Sequence, residues 1–266
     1  MKIFCLSIYN ENYRLFKELN LVPVGLGSQN FGNEWLGDKG TLSISEKNVN
    51  FGEYTFHYHL WKNKINNEKY DDWIGFCSYR RFWIKKNITE PKNIEELKKS
   101  IIQKPADAWK NSEVVLVKPL IFKKIKNIKL IKRNFFEVLK KPSVLFKNNS
   151  LEDQFNIFHG SYFLKEAINL LSEDNRTNFS NFLKGYECNP YNMFICKNSD
   201  ILNQFYEEIF PWLFKCEDIF KNKKLVGYDK IRIYGFLAER YMSYWFQKNF
   251  KTINWPISFI DTHNKI

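Results

Sequence analysis

The sequence predicts an α/β fold in which a sheet is interleaved with helices and the C-terminal part is helical. Two observations carry this. Short apolar runs of strand length stand at residues 2–9, 73–79, 113–119 and 192–197. Between and after them, aromatic and aliphatic side chains recur at helical spacing. Neither an internal repeat nor a linker rich in Pro, Gly or Ser interrupts the chain, so 1–266 is expected to be a single domain, with about 1–120 as one half and 121–266 as the other. At 44% hydrophobic and 18% aromatic residues it can bury a sizeable core, which excludes disorder over most of its length.

Taken in order, residues 2–9 form a buried strand ended by Asn10, Glu11 and Asn12. A glycine-containing loop follows over 24–41. Ser45 and Asn48 are helix caps, and Tyr54, Tyr58 and Trp61 set the spacing of a helix over 49–62. The second strand, 73–79, runs into Arg80 and Arg81; the third is 113–119. A basic segment occupies 123–141. Asn149, Ser150 and Asp153 open a helix that runs through His159, and another covers 162–171. After the strand at 192–197 come helices over 199–220 and 229–248, then an extended tail, TINWPISFI.

Charge and cysteine usage narrow the function classes. The net charge is +12, which suits a polyanionic partner or a solvated basic surface. Five cysteines without a CxxC predict reduced thiols and no disulfide framework. The start lacks the apolar region of a signal peptide, and no run of about 18 apolar residues occurs. A cytoplasmic protein, peripheral on the inner membrane at most, is expected. No GxxxxGK[ST], GxGxxG or GxSxG is present. His57 and His59, two apart on a helix, face different ways and read as ordinary helix histidines.

Four constellations could carry chemistry. Arg80 and Arg81 follow a buried strand, where open α/β sheets bind ligands, and their guanidiniums suit a diphosphate. The plain alternative is a surface pair bridged to Asp71 or Asp72. No DxD follows that strand, so cationic side chains are expected to take the place of a metal, although Mn2+ or Mg2+ stays open as a cofactor. Arg232 and Glu239 fall two turns apart on one helix face, with Glu239 a candidate general base or a partner of Arg240 or Arg232. Glu46 and Lys47 bind a ligand hydroxyl or cap a helix. The segment 123–141 alternates Lys and Arg with Ile, Leu and Phe, which fits an anionic membrane surface. No nucleic-acid-binding motif accompanies it.

Six segments in order resemble one bacterial family: VGLGS (24–28), SISEKNVNFGEYTFHYHLWKN (43–63), WIGFCSYRRFW (73–83), NMFICK (192–197), EEIFPWLFKCEDI (207–219) and RIYGFLAER (232–240). That family, long catalogued as a domain of unknown function, holds capsular polysaccharide and lipopolysaccharide biosynthesis glycosyltransferases, with members assigned as galactofuranosyltransferases. The resemblance implies a single-Rossmann-like nucleotide-diphospho-sugar transferase (GT-A-like) fold and transfer of galactofuranose or another hexose, UDP being the first choice of nucleotide, to a glycan or lipid-linked glycan. It places donor binding on Gly27, Ser28, Ser45, Lys47, Asn48, Ser78, Tyr79, Arg80 and Arg81. Ser78 stands where the family's HYRR signature has histidine. Acceptor contacts would come from Asn192, His159, Arg232 and Arg240. An inverting transfer is expected, with Glu239 or Asp229 as base and no metal-ligating residues assigned. A non-catalytic assembly protein and a basic nucleic-acid-binding protein are the rival readings.

Overall fold

The computed structural model describes residues 1–65, 71–121 and 149–262, so the basic segment 123–141 lies outside the described residues. Strand β1 (Lys2–Ser7) leads through helix α1 (Tyr13–Glu18) to β2 (Val22–Gly25), which pairs parallel to it with Phe4 opposite Val22. A two-residue strand β3 (Leu36–Gly37) then pairs parallel to β2. The expected loop over 24–41 thus begins inside the sheet. A four-residue strand containing Pro23 has too little alternation to stand out in sequence.

The helix expected over 49–62 is broken. Helix α2 (Asn48–Phe51) ends at Gly52, which takes φ +58°, and α3 (Tyr54–Leu60) restarts beyond it and runs into a π-helical turn at Trp61–Ile65. Neither Ser45 nor Asn48 caps: the Asn48 amide instead donates to the Gly52 carbonyl and Thr55 Oγ1, both at 3.0 Å. The positive φ favours glycine at position 52, and a Cβ there would also push aside the Arg232 guanidinium.

Strand β4 (Ile74–Ser78) turns tightly at Tyr79–Arg80 into β5 (Arg81–Trp83). Helix α4 (Ile94–Ser100), β6 (Val114–Val117) and β7 (Leu120–Ile121) follow. Helix α5 (Leu151–His159) opens with a capping box between Ser150 and Asp153, two of the residues expected to open it, and α6 (Ser161–Asn169) and α7 (Glu173–Leu183) pack after it. Next come β8 (Glu187–Cys188), β9 (Phe194–Cys196) and the long helix α8 (Ser199–Phe220). The last predicted helix is divided at Arg232 into α9 (Tyr228–Ile231) and α10 (Ile233–Asn249). The tail forms β10 (Thr252–Trp255) and β11 (Ile257–Phe259).

The sheet runs β10-β6-β9-β4-β1-β2-β3, with β5 joining β4 to β11. Strands β2, β1 and β4 are mutually parallel, whereas β9 is antiparallel to both β4 and β6. Strand alternation divides the core in two. Phe4, Leu6, Phe76, Val114 and Leu116 face a large cluster with α3, α8 and α10. Ile3, Cys5, Cys77, Val115 and Val117 face a smaller one with α1 and α4. On α8, Phe205, Ile209 and Leu213 are wholly buried, and such burial stabilises the fold by about 1.5–3 kcal/mol per side chain. All five cysteines are buried free thiols.

Candidate active site

Strand β1 is the switch point of the sheet, because its parallel neighbours β2 and β4 lie on opposite sides of it. The carboxyl ends of the three strands therefore share one edge, where open α/β sheets leave a crevice. A cleft of about 490 Å³ opens there, within the size range of small-ligand sites. Its edge on the sheet is Ser7 and Ile8 after β1, Leu26 after β2, and Ser78 to Arg81 after β4. The facing side comes from Asn48, Gly52, Glu53 and His57 of α2–α3 and from Tyr228, Arg232 and Glu239 of α9–α10.

One wall is cationic. Arg80 and Arg81 sit at the β4–β5 turn, and neither forms an ion pair among the described residues. Asp72 instead binds the Met1 amine at the far end of β4. The Arg81 guanidinium lies 4.0 Å from the Tyr191 ring centroid, and that of Arg80 lies 4.9 Å from Tyr79. Arg80 Nε is buried without a hydrogen-bond partner among the described residues. The turn is held by the tail: β11 pairs with β5, Ile260 N–H donates to the Arg80 carbonyl at 3.0 Å, and Thr262 Oγ1 donates to the Tyr79 carbonyl at 2.8 Å.

The opposite wall carries carboxylates, each already held. Glu239 Oε1 accepts from Tyr191 N–H at 2.6 Å and Oε2 pairs with Arg240 at 2.6 Å. Glu53 Oε1 accepts from Asn192 Nδ2 at 2.8 Å and Oε2 from Arg232 at 3.1 Å. Asn192 also donates to the Gly235 carbonyl and accepts from Tyr54 Oη, so its amide cross-braces the wall. Burial first, then the Glu53 and Glu239 charges, hold the Tyr54 phenol well above its ordinary pKa. Tyr191 and Asn192 both adopt positive φ, +73° and +51°, a conformation that costs free energy for non-glycine residues and concentrates at functional sites. Glu239 thus pairs with Arg240, one of the two readings open from the sequence, and a backbone amide holds it at the cleft as well.

The floor is apolar apart from His57 and Ser78. His57 is fully buried beside Phe76, ring centroids 4.2 Å apart, and its Nδ1 meets Tyr206 Oη at 2.6 Å. Burial pushes its pKa down to about 3, so the ring is neutral. His57 Nε2 and Ser78 Oγ have no partner among the described residues.

Of the residues singled out from sequence, Asn48, Ser78, Tyr79, Arg80, Arg81, Asn192, Arg232 and Glu239 converge on this cleft. Gly27 stands just behind it, at φ +83°, against the Asn48 amide. Neither Ser28 nor Ser45 lines it. Lys47 is spent on Glu217 of α8, 2.7 Å away. The Asp229 side chain is not among the lining groups; its backbone carbonyl accepts from His159 Nδ1 at 2.7 Å. His159 is buried and stacked on Phe236. Arg240 is 4% exposed, clamped between Glu239 and Gln154 behind the wall, because its place on α10 turns it inward where Glu239 turns to the cleft. Sequence reasoning missed Glu53, His57, Tyr191 and Tyr206. Only Glu53, one residue past a helix-breaking glycine, left any local sign. Among the described residues no three His, Cys, Asp or Glu side chains are grouped so as to hold a metal, and no helix is long and apolar enough to cross a membrane.

The model of a family described as "Domain of unknown function (DUF4422)" matches residues 5–250. No curated protein matches the sequence. Among solved structures, one described as the apo form of the bifunctional glycosyltransferase WbbM superposes with a TM-score of 0.68 at 19% identity. The superposition takes in 98% of this chain but only 45% of that one, so the chain spans less than half the length of its structural neighbour. At that identity the likeness establishes a shared α/β fold.

Proposed function

This chain belongs to the DUF4422 family, and from that premise we propose that it is a glycosyltransferase that moves a hexose from a nucleotide-diphosphate donor onto a glycan acceptor. The observation that carries the proposal is the cationic turn. Two arginines without carboxylate partners among the described residues stand at the carboxyl end of three parallel strands, over a cleft of about 490 Å³. Unpaired guanidiniums in a partly buried site favour an anion with several oxygens, and a diphosphate supplies them. The shared fold with a solved glycosyltransferase supports the same reading.

In the proposed reaction the acceptor hydroxyl oxygen attacks the anomeric carbon of the donor sugar. The bond from that carbon to the diphosphate oxygen breaks, and its electron pair leaves with the nucleotide diphosphate. The hydroxyl proton passes to a cleft carboxylate. We assign that role to Glu239, which Tyr191 N–H and Arg240 hold at the cleft, and a single displacement of this kind inverts the anomeric centre. Arg80 and Arg81 offset the charge that develops on the departing diphosphate, the task a divalent metal performs in DxD-type transferases. Glu53 and Arg232 orient the acceptor from the same wall. UDP as the nucleotide, galactofuranose as one candidate sugar and a surface polysaccharide or lipooligosaccharide as acceptor complete the proposal, with 123–141 as its contact to the inner membrane.

A thermal-shift screen against UDP-, GDP- and CMP-sugars, with and without Mn2+, tests it, since a ligand that binds the native state raises its stability by mass action. A stabilising sugar nucleotide whose sugar is then released or transferred supports the proposal. Protein that responds to no nucleotide, yet binds oligonucleotides with a steep salt dependence, overturns it in favour of nucleic-acid binding.

A further inference from the structure

Ten buried side-chain polar atoms lack a partner among the described residues, and three of them, His57 Nε2, Ser78 Oγ and Arg80 Nε, belong to residues that line the cleft. A buried polar group left unpaired costs free energy, so such a concentration marks where a ligand completes the hydrogen bonding. The three are not equivalent. Arg80 is half-buried and charged, whereas His57 is wholly buried among the rings of Phe76, Phe194 and Tyr54.

The chemistry of His57 follows from its one partner. Tyr206 is fully buried, and burial keeps its phenol protonated, well above the ordinary value. That hydroxyl hydrogen needs an acceptor, and among the described residues Nδ1 is the one within reach. A Tyr206 O–H that donates to Nδ1 leaves the imidazole proton on Nε2. His57 lines the cleft, and its Nε2–H, unpartnered among the described residues, is a neutral donor in apolar surroundings that a ligand group has to meet from the cleft side. An anionic phosphate there would gain no countercharge and lose its hydration. A sugar hydroxyl, uncharged and able to accept, matches the donor. Ser78 Oγ lies on the same sheet face as Phe76, one alternation nearer the cleft mouth, and offers a second amphiprotic contact.

Building on the nucleotide-sugar reading above, we propose that His57 is a specificity-determining residue that donates Nε2–H to a hydroxyl oxygen of the transferred sugar, with Tyr206 as the positioning residue that fixes its tautomer. Arg80 and Arg81 then take the charged half of the donor, and His57 and Ser78 take the uncharged half. A buried donor left unsatisfied by the wrong sugar is a stronger discriminator than a shape mismatch.

The test compares UDP with UDP-galactose by calorimetric titration of wild type, His57→Phe and Tyr206→Phe. In His57→Phe, affinity for UDP-galactose is expected to fall about tenfold while that for UDP stays level, the size of one hydrogen bond to a buried group. Tyr206→Phe, which frees the tautomer, is expected to show the same pattern at smaller size. Equal affinity ratios in wild type and His57→Phe overturn the inference alone, as does an equal loss for both ligands, which a purely structural role would give. Should either variant fail to fold, titration of wild type with singly deoxygenated UDP-galactoses decides: one analogue must lose about tenfold, and level affinity across the series overturns the inference. Wild type that binds neither UDP nor UDP-galactose removes the nucleotide-sugar reading, and this inference falls with it.

Discussion

The two walls of the cleft handle charge in opposite ways. On the strand side, Arg80 and Arg81 have aromatic rings for company and no counter-ion among the described residues. On the helix side, Glu53 and Glu239 are each tied to an arginine and to an amide donor. Among the described residues the first wall leaves its charge uncompensated, and the second balances its own. A site meant to receive an anion needs the first arrangement, because pre-paired cations would have to release their partners to bind. A site meant to hold a carboxylate at a fixed angle needs the second, because geometry matters more there than spare charge.

If that contrast is right, arginines on the two walls respond differently to removal. Arg240→Met is expected to cost about 3–5 kcal/mol of stability, because it strands Glu239 without its buried partner. Chemical denaturation measures it, and a loss below 1 kcal/mol would break the comparison. Acid probes the floor that both walls share. His57 is neutral in the fold down to about pH 3 but protonates near 6.5 when unfolded. Stability is then full above about pH 6.5 and declines as pH falls, by about 3 kcal/mol between neutral pH and pH 4. His57→Phe should remove that part of the slope in a pH series of melts.

Smaller effects separate chemistry from binding. Glu239→Gln is expected to lower turnover about 100-fold, with affinity for UDP nearly unchanged, as loss of a general base does. A turnover loss confined to Glu53→Gln would move the base to the neighbouring carboxylate. Smallest of all, Arg80→Met or Arg81→Met should weaken UDP binding about tenfold while the melting temperature holds or rises. A melting temperature that falls in either variant would mean that the cationic wall is structural.

How much of this was readable beforehand depends on range. Strands at 73–79 and 192–197 declared themselves through local apolar runs, and α8 through sustained helical spacing. Helix α7 did not, since it buries only Phe179 and Leu183 and its propensity is masked by Asn, Ser and Thr. Arg80 and Arg81 stood out because charge follows directly on a buried strand. Arg232 and Arg240 looked interchangeable in sequence, yet one lines the cleft and the other is sealed behind it against Gln154, 86 residues away in the chain. His57 read as an ordinary helix histidine because Tyr206, which defines its chemistry, lies 149 residues away.

The pinning of the arginine turn by the tail has a consequence for biosynthesis. Thr262 follows Tyr79, whose carbonyl it secures, by 183 positions. During synthesis the parallel strands β1, β2 and β4 can pair early, but the anion hook over them gains its last fastenings only when residues 257–262 emerge. A nascent chain would hold three strands of the sheet before its arginine turn is fixed, and on the function proposed above a ribosome stalled short of that point would display a fold that captures no donor.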